Sequence, residues 1–318
     1  MKKKRKFYRN VVNHIYQKAV KGFNLFYSDE DRLVFYTIFA VCAKSAPEVV
    51  SMGLCLMYDH FHILAVSEHV SYLSRFMQHC TSWYVREFNE HIGRQGALFR
   101  KNYGSVPKWG NKKVHSAIAY HFNNPVEKLL CKKAEDYRWS FLPYAFNPHP
   151  FSERIVLKEA SDSLKKACKE VNSRVKLNIP LNYPQLKRMR RKLSASEWEQ
   201  LVDYIIHKYF PFDMESLLSY YESYDNMLLA VNSNTGGEYD LKEDFLPFSD
   251  LPYAEMIACI CERVEPADVS KIVMMTPEEK KELFIELKRR TSADERQIRK
   301  FLHMDEGGQQ LVETDEDT

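Results

Sequence analysis

Between Val49 and Val66 the chain is apolar almost without interruption, broken only by Tyr58-Asp59 and by a pair of histidines, His60 and His62. Val49 to Met57 reads as a central strand, Tyr58-Asp59 as a turn or bulge, and His60 to Val66 as the next strand. A strand alternates its faces with period two, so His60 and His62 point one way and Phe61 points into the core. Two imidazoles side by side on a rigid strand make half of a metal site. Two histidines on a solvated strand face is the competing reading.

The elements around this hairpin follow from local signals. Val11 to Tyr16 reads as a strand. Ser28-Asp29-Glu30-Asp31 opens a helix, with Ser28 as cap and acids in the first turn, and the helix ends near Lys44 before Pro47. A long helix runs from about Val70 to His91, its apolar residues recurring at three- and four-residue intervals. A strand is expected over Ala97–Tyr103 and a helix over Asn111–Asn123. The order strand, helix, strand, strand, helix, strand, helix predicts an α+β fold: a ferredoxin-like antiparallel sheet with helices on one face. From Ser152 onward the chain reads as mostly helical. Expected helices cover Leu157–Val171, a segment capped by Ser194 with Glu197, Pro277–Arg290 behind Thr276, and Asp294–Met304. Residues 1–150 are therefore expected to form one domain and residues 151–318 a mainly helical region. Gly236-Gly237 marks a loop, and the tail from Asp305 is acidic.

The 318 residues carry a net charge of only +3, but the charge is unevenly spread. Residues 1–200 hold 34 lysines and arginines against 17 acids, and residues 201–318 hold 12 against 26. A first part this basic suits a polyanion, with nucleic acid the default partner, or else is an ordinary solvated basic surface. No apolar run is long enough to span a membrane, and the basic start, Lys2 to Lys6, leads into Phe7-Tyr8-Arg9-Asn10 rather than the apolar core of a secretory signal. Seven scattered cysteines without a C-x-x-C pair suit reduced thiols in the cytoplasm.

Downstream lies Ala119-Tyr120-His121-Phe122-Asn123-Asn124-Pro125. At the end of a helix, Tyr120 and Asn124 share a face. A tyrosine hydroxyl can attack phosphorus, and an amide oxygen suits a hard cation beside two imidazoles. A core tyrosine followed by a plain helix stop is the alternative.

Five blocks in this order resemble the REP-associated tyrosine transposases, HUH-type single-strand DNA transposases of the insertion-sequence-200-like superfamily. They are Leu56 to Leu64 around the histidines, Ser74-Arg75-Phe76-Met77-Gln78, Leu98 to Tyr103, Tyr120 to Val126, and Tyr137-Arg138-Trp139-Ser140. The resemblance covers roughly residues 8–145. It implies an HUH endonuclease fold, with His60, His62 and Asn124 binding a divalent metal and Tyr120 as nucleophile. The implied chemistry is metal-assisted transesterification of single-stranded or hairpin DNA through a 5′-phosphotyrosine, by a monomer or homodimer near the nucleoid. Mg2+ or Mn2+ fits an amide and a phosphate oxygen better than zinc does. The sequence departs from the family at three places: Tyr58-Asp59 replaces Pro-Asn, His121-Phe122 replaces Ile-His, and Gln17-Lys18 replaces Asn-Arg.

Single-stranded DNA needs cations along its backbone and aromatic faces for its bases. Arg75, Arg100, Lys101, Lys112 and Lys113 are the candidate phosphate contacts, with Tyr103, Trp83 and Trp109 as stacking candidates. Lys187 to Lys192, with Arg188, Arg190 and Arg191, is a dense basic cluster that reads either as a hairpin grip or as a solvated helix face. The C-terminal helix pair over 277–304 has the outline of a helix-turn-helix, with Arg296, Gln297, Arg299 and Lys300 expected on its exposed face. Two other functions remain open on these residues: a domesticated DNA-hairpin-binding regulator with little or no catalysis, and a metal-dependent hydrolase unrelated to DNA.

Overall fold

The computed structural model describes residues 7–100, 102–233 and 249–304. The basic residues 1–6, Lys101, the Gly236-Gly237 loop and the acidic tail lie outside them. The first part runs β1 (Val12–Lys18), α1 (Asp29–Ser45), β2 (Val49–Leu56), β3 (His60–Ser67), α2 (Val70–Ile92), β4 (Gly104–Lys108) and α3 (Gly110–Glu127). Three short 3-10 turns follow between Ala134 and Ala145. Then come α4 (Asp162–Lys176), α5 (Tyr183–Arg190), α6 (Ala195–Lys208), α7 (Met214–Leu218), α8 (Tyr224–Asn232) and α9 (Leu251–Cys261), a 3-10 stretch at Pro266–Met274, α10 (Pro277–Arg290) and α11 (Glu295–Leu302). The protein is α+β, with one antiparallel sheet of order β2-β3-β1-β4. No helix among the described residues is long and apolar enough to cross a membrane.

Period-two alternation decides what each sheet face meets. On one face Ile15, Leu54, Phe61 and Ile63 join Phe35 and Phe39 of α1 and Phe76 and Tyr84 of α2 in the main core. Phe61 packs against Phe35 at 4.7 Å between ring centroids; burying a side chain of that size stabilises by roughly 1.5–3 kcal/mol. Val12, Met52 and Leu64 project to the other face, where Val114, Ile118 and Phe122 of α3 cover them. Helices thus lie on both faces, not one. The outer side of α3 is covered in turn by Leu217 of α7 and by Met227 and Val231 of α8.

The fourth strand is Gly104–Lys108 rather than Ala97–Tyr103. Leu98 and Phe99 are core residues, and Phe99 makes a single bridge to Ala19. β4 contains Pro107, which a sheet tolerates at an edge, and β4 is an edge strand. The helix expected over Leu157–Val171 begins later, because the Ser161 hydroxyl accepts from the Leu164 N–H and fixes the start at Asp162. α3 continues through Pro125 to Glu127.

The C-terminal helices share the main core with the first part. Tyr36 of α1 donates to the Ile206 carbonyl at 2.8 Å, and Tyr183 of α5 donates to Asp31 at 2.7 Å. The fully buried Asp203 of α6 accepts from Tyr144, Ser152 and the Phe151 N–H at 2.6–3.0 Å, and Arg138 lies 3.3 Å away.

Candidate functional site

Register places the histidines. In the β1–β3 ladder Tyr16 pairs with His62, Lys18 with His60, and His14 with Leu64. His14, His60 and His62 therefore project to the α3 side of the sheet. α3 crosses this face and presents Tyr120 and His121. The His60 and His62 rings meet edge to face at 4.9 Å between centroids, and His14 stacks on His62 at 5.0 Å. The Tyr120 ring lies edge-on to both, 5.4 Å from His14 and 5.9 Å from His62. His121 stands 6.3 Å from His14 and 6.5 Å from His62. The structure thus brings His60 and His62 of β3 together with Tyr120 of α3 and His14 of β1. The sequence reading did not single out His14. Its place on the same period-two face of β1 is the signal that pairing β1 with β3 would have turned into a position.

Access is graded. The His60 side chain is 12% exposed and sits at the mouth, whereas His62 is fully buried and Tyr120 is 2% exposed. Asn124, one turn after Tyr120, is also buried, and its amide nitrogen faces the Tyr120 carbonyl at 3.4 Å.

The ring nitrogens are the chemical content of the site. Neither nitrogen of His14 or of His62 has a hydrogen-bond partner among the described residues. His121 turns toward the Leu54 backbone without a hydrogen bond of normal geometry. Burial drives His14 and His62 well below the usual histidine range, and the crowding of histidines with a nearby lysine pushes them further. Burial lowers His121 to about 3. All three are neutral near pH 7, the state in which an imidazole accepts a metal. His60 is held differently: its Nδ1 lies 2.5 Å from Asp59 Oδ1, and Lys300 of α11 pairs with the other carboxylate oxygen. Burial would raise the Asp59 carboxyl, but Lys300 and then His60 outweigh it and hold it well below the usual range.

His62 with both nitrogens uncommitted, His60 with Nδ1 taken by Asp59, and the buried Asn124 amide are the donor types a small divalent site would use. Among the described residues no three His, Cys, Asp or Glu side chains are grouped to hold a metal ion.

The surface candidates divide. Arg75 is exposed on α2, and Lys112 and Lys113 are exposed in the first turn of α3. Beside those lysines Trp109 is 52% exposed and meets Tyr8 edge-on at 4.6 Å. Arg100 is exposed, with its Nε donating to the Ala19 carbonyl at 3.3 Å. Tyr103 is half-buried against Ser74, and Trp83 is half-buried against Glu87. The basic cluster of α5 is met by carboxylates: Arg188 by Glu170, Arg190 by Glu30, Arg191 by Glu265, and Lys187 by Asp268. On α11 the expected exposed face is largely engaged. Gln297 donates to the Ser249 carbonyl, Arg299 lies over Phe284 and Lys300 holds Asp59, while Arg296 is exposed.

A scan against protein-family models matches none, and a search of curated proteins returns no match. Among solved structures, one similar chain is a REP-associated tyrosine transposase bound to a REP hairpin. The two share 13% identity over 44% of this chain and 81% of that one, with a TM-score of 0.37.

Proposed function

We propose that the chain cuts and rejoins single-stranded or hairpin DNA by metal-assisted transesterification, with Tyr120 as nucleophile. One observation carries this reading: the Tyr120 ring sits 5.9 Å from His62, whose ring sits 4.9 Å from that of His60. The strand order β2-β3-β1-β4 and the succession β1-α1-β2-β3-α2-β4 support a ferredoxin-like sheet of the HUH kind around that site.

His60, His62 and Asn124 would hold Mg2+ or Mn2+, which when bound polarises a phosphate oxygen and stabilises charge on the reacting phosphate. The chain's own groups do the rest. The Tyr120 phenol loses its proton and its oxygen bonds to phosphorus. The bond from phosphorus to the 3′ oxygen breaks, and that oxygen takes up a proton and leaves as a hydroxyl. The 5′-phosphotyrosine keeps the energy of the broken diester for rejoining to another strand. Trp109 and Tyr8 offer exposed ring faces for bases, and Lys112, Lys113, Arg75 and Arg100 offer charge for phosphates.

The test is a labelled hairpin oligonucleotide incubated with the protein and Mn2+, then resolved on a denaturing gel. The expected result is a protein–DNA adduct that vanishes in Tyr120→Phe and with chelator. Cleavage that persists in Tyr120→Phe, with water as nucleophile, would overturn the assignment. The burial of Tyr120 supports a second reading, a hairpin-binding regulator without catalysis. That reading expects hairpin binding in a gel shift, equal in wild type and Tyr120→Phe, with no adduct in either.

A further inference from the structure

We propose that Lys300 is a positioning residue for His60, acting through Asp59. The proposal rests on the reading of His60 as a metal ligand. A neutral imidazole carries its proton on one nitrogen and its lone pair on the other, and the partner of the first decides which is which. An ionised carboxylate only accepts, so Asp59 Oδ1 at 2.5 Å fixes the proton on His60 Nδ1 and leaves Nε2 to ligate.

Asp59 is adjacent in sequence to His60 and its side chain is 32% exposed, so on its own it is free to rotate into solvent. Lys300 removes that freedom by holding Oδ2. The Asp59 backbone is pinned too, its carbonyl accepting from the Ala19 N–H at 2.8 Å.

Lys300 is itself anchored. Ile298, Phe301 and Leu302 bury one side of α11, and Phe301 packs on Tyr27 at 5.5 Å. The Lys300 ammonium lies 5.7 Å from the Tyr253 ring, and His303 closes the helix against the Gly22 carbonyl at 2.9 Å. A part-exposed ion pair of this kind adds little to stability. Its consequence is geometric: the last described helix reaches through one carboxylate to a ring at the mouth of the site.

The experiment uses the full chain labelled with 15N-histidine, without added metal, and long-range 1H–15N spectra that report which ring nitrogen is protonated. His60→Gln identifies the His60 signals. Wild type is expected to show the Nδ1–H tautomer. Lys300→Met is expected to shift His60 toward the Nε2–H form, and Lys300→Arg to restore it. Mn2+ affinity, read by electron paramagnetic resonance, should fall by about 10- to 100-fold in Lys300→Met and recover in Lys300→Arg. An Nε2–H tautomer in wild type, a tautomer and Mn2+ affinity unmoved by Lys300→Met, or a wild type that does not bind Mn2+ each overturns the proposal. If tautomer and affinity move as expected and no tyrosyl–DNA adduct forms, the positioning role stands and the strand-transfer reading falls.

Discussion

His14 and His62 stack face to face on neighbouring strands, their planes 16° apart, and both rings are fully buried. Two protonated imidazoles in that arrangement would repel each other in a medium that screens poorly. The stack therefore excludes the state in which both rings are charged.

The pH dependence follows with a definite sign. The folded pKa of His14 is depressed, so its contribution is present above the ordinary histidine range and is lost as pH falls, because the unfolded chain takes up a proton that the folded chain refuses. Each such ring costs about 1.4 kcal/mol per pH unit below that range. The destabilisation caused by His14→Gln should therefore shrink by roughly 2 kcal/mol between pH 6.5 and pH 5. Urea denaturation of both proteins at the two pH values measures it. A penalty that does not change with pH would mean His14 is charged in the fold.

Gly53 follows a register shift in β2, and a Cβ there would come 3.0 Å from His121 Nε2 and 3.1 Å from Phe122 Cζ. Gly53→Ala should push α3 off the sheet and destabilise by about 1–3 kcal/mol. The denaturation midpoint should fall with the slope unchanged. A neutral effect would show that α3 gives way without cost.

Arg190 donates to both oxygens of Glu30 at 3.0 and 3.1 Å, and the Glu30 side chain is fully buried. Burial raises the Glu30 carboxyl to about 7, although Arg190 pulls against it. The Glu30 contribution is thus complete below the ordinary carboxylate range and is lost as pH rises through about 7. Arg190→Ala should destabilise by about 3–5 kcal/mol at pH 8 and by less at pH 5, where Glu30 is neutral. Unchanged stability together with weakened hairpin binding would instead identify Arg190 as a DNA contact.

Asp203→Ala leaves the Tyr144 hydroxyl and the Phe151 N–H without their acceptor, the Ser152 hydroxyl with only the Glu153 carbonyl at 3.5 Å, and Arg138 with Glu199 as its ion-pair partner. A loss on the order of 3 kcal/mol is expected from thermal unfolding. The same cluster joins residues 138–152 to α6, so a fragment ending at residue 150 should lack a sharp unfolding transition. A cooperative transition in that fragment would establish the first 150 residues as an independent domain.

What could be read from the sequence was what local chemistry decides. The caps at Ser28, Ser194 and Thr276 mark helix starts because their oxygens meet N–H groups a few residues away. β2 and β3 were legible because two buried strands leave an unmistakable apolar pattern. β4 was not: it has five residues, all half-buried, one of them proline. His14 gave no local sign either, since its meaning comes from β1 pairing with β3. The cations of α5 looked free because their acids, Glu30, Glu170, Glu265 and Asp268, arrive from distant segments. Tyr58 and Asp59, where the sequence departs from the block it resembles, meet the C-terminal helices: Tyr58 stacks near Tyr253 and Asp59 pairs with Lys300.

α3 carries the phenol and also roofs it. The sheet lies beneath α3, α7 and α8 cover its outer side, and Tyr120 is buried between helix and sheet. A ligand as large as a nucleic-acid strand would reach that hydroxyl only if α3 moved, and Asn124, on the same helix, would move with it. Uncovering the Tyr120 hydroxyl and rearranging its neighbours would then be one movement.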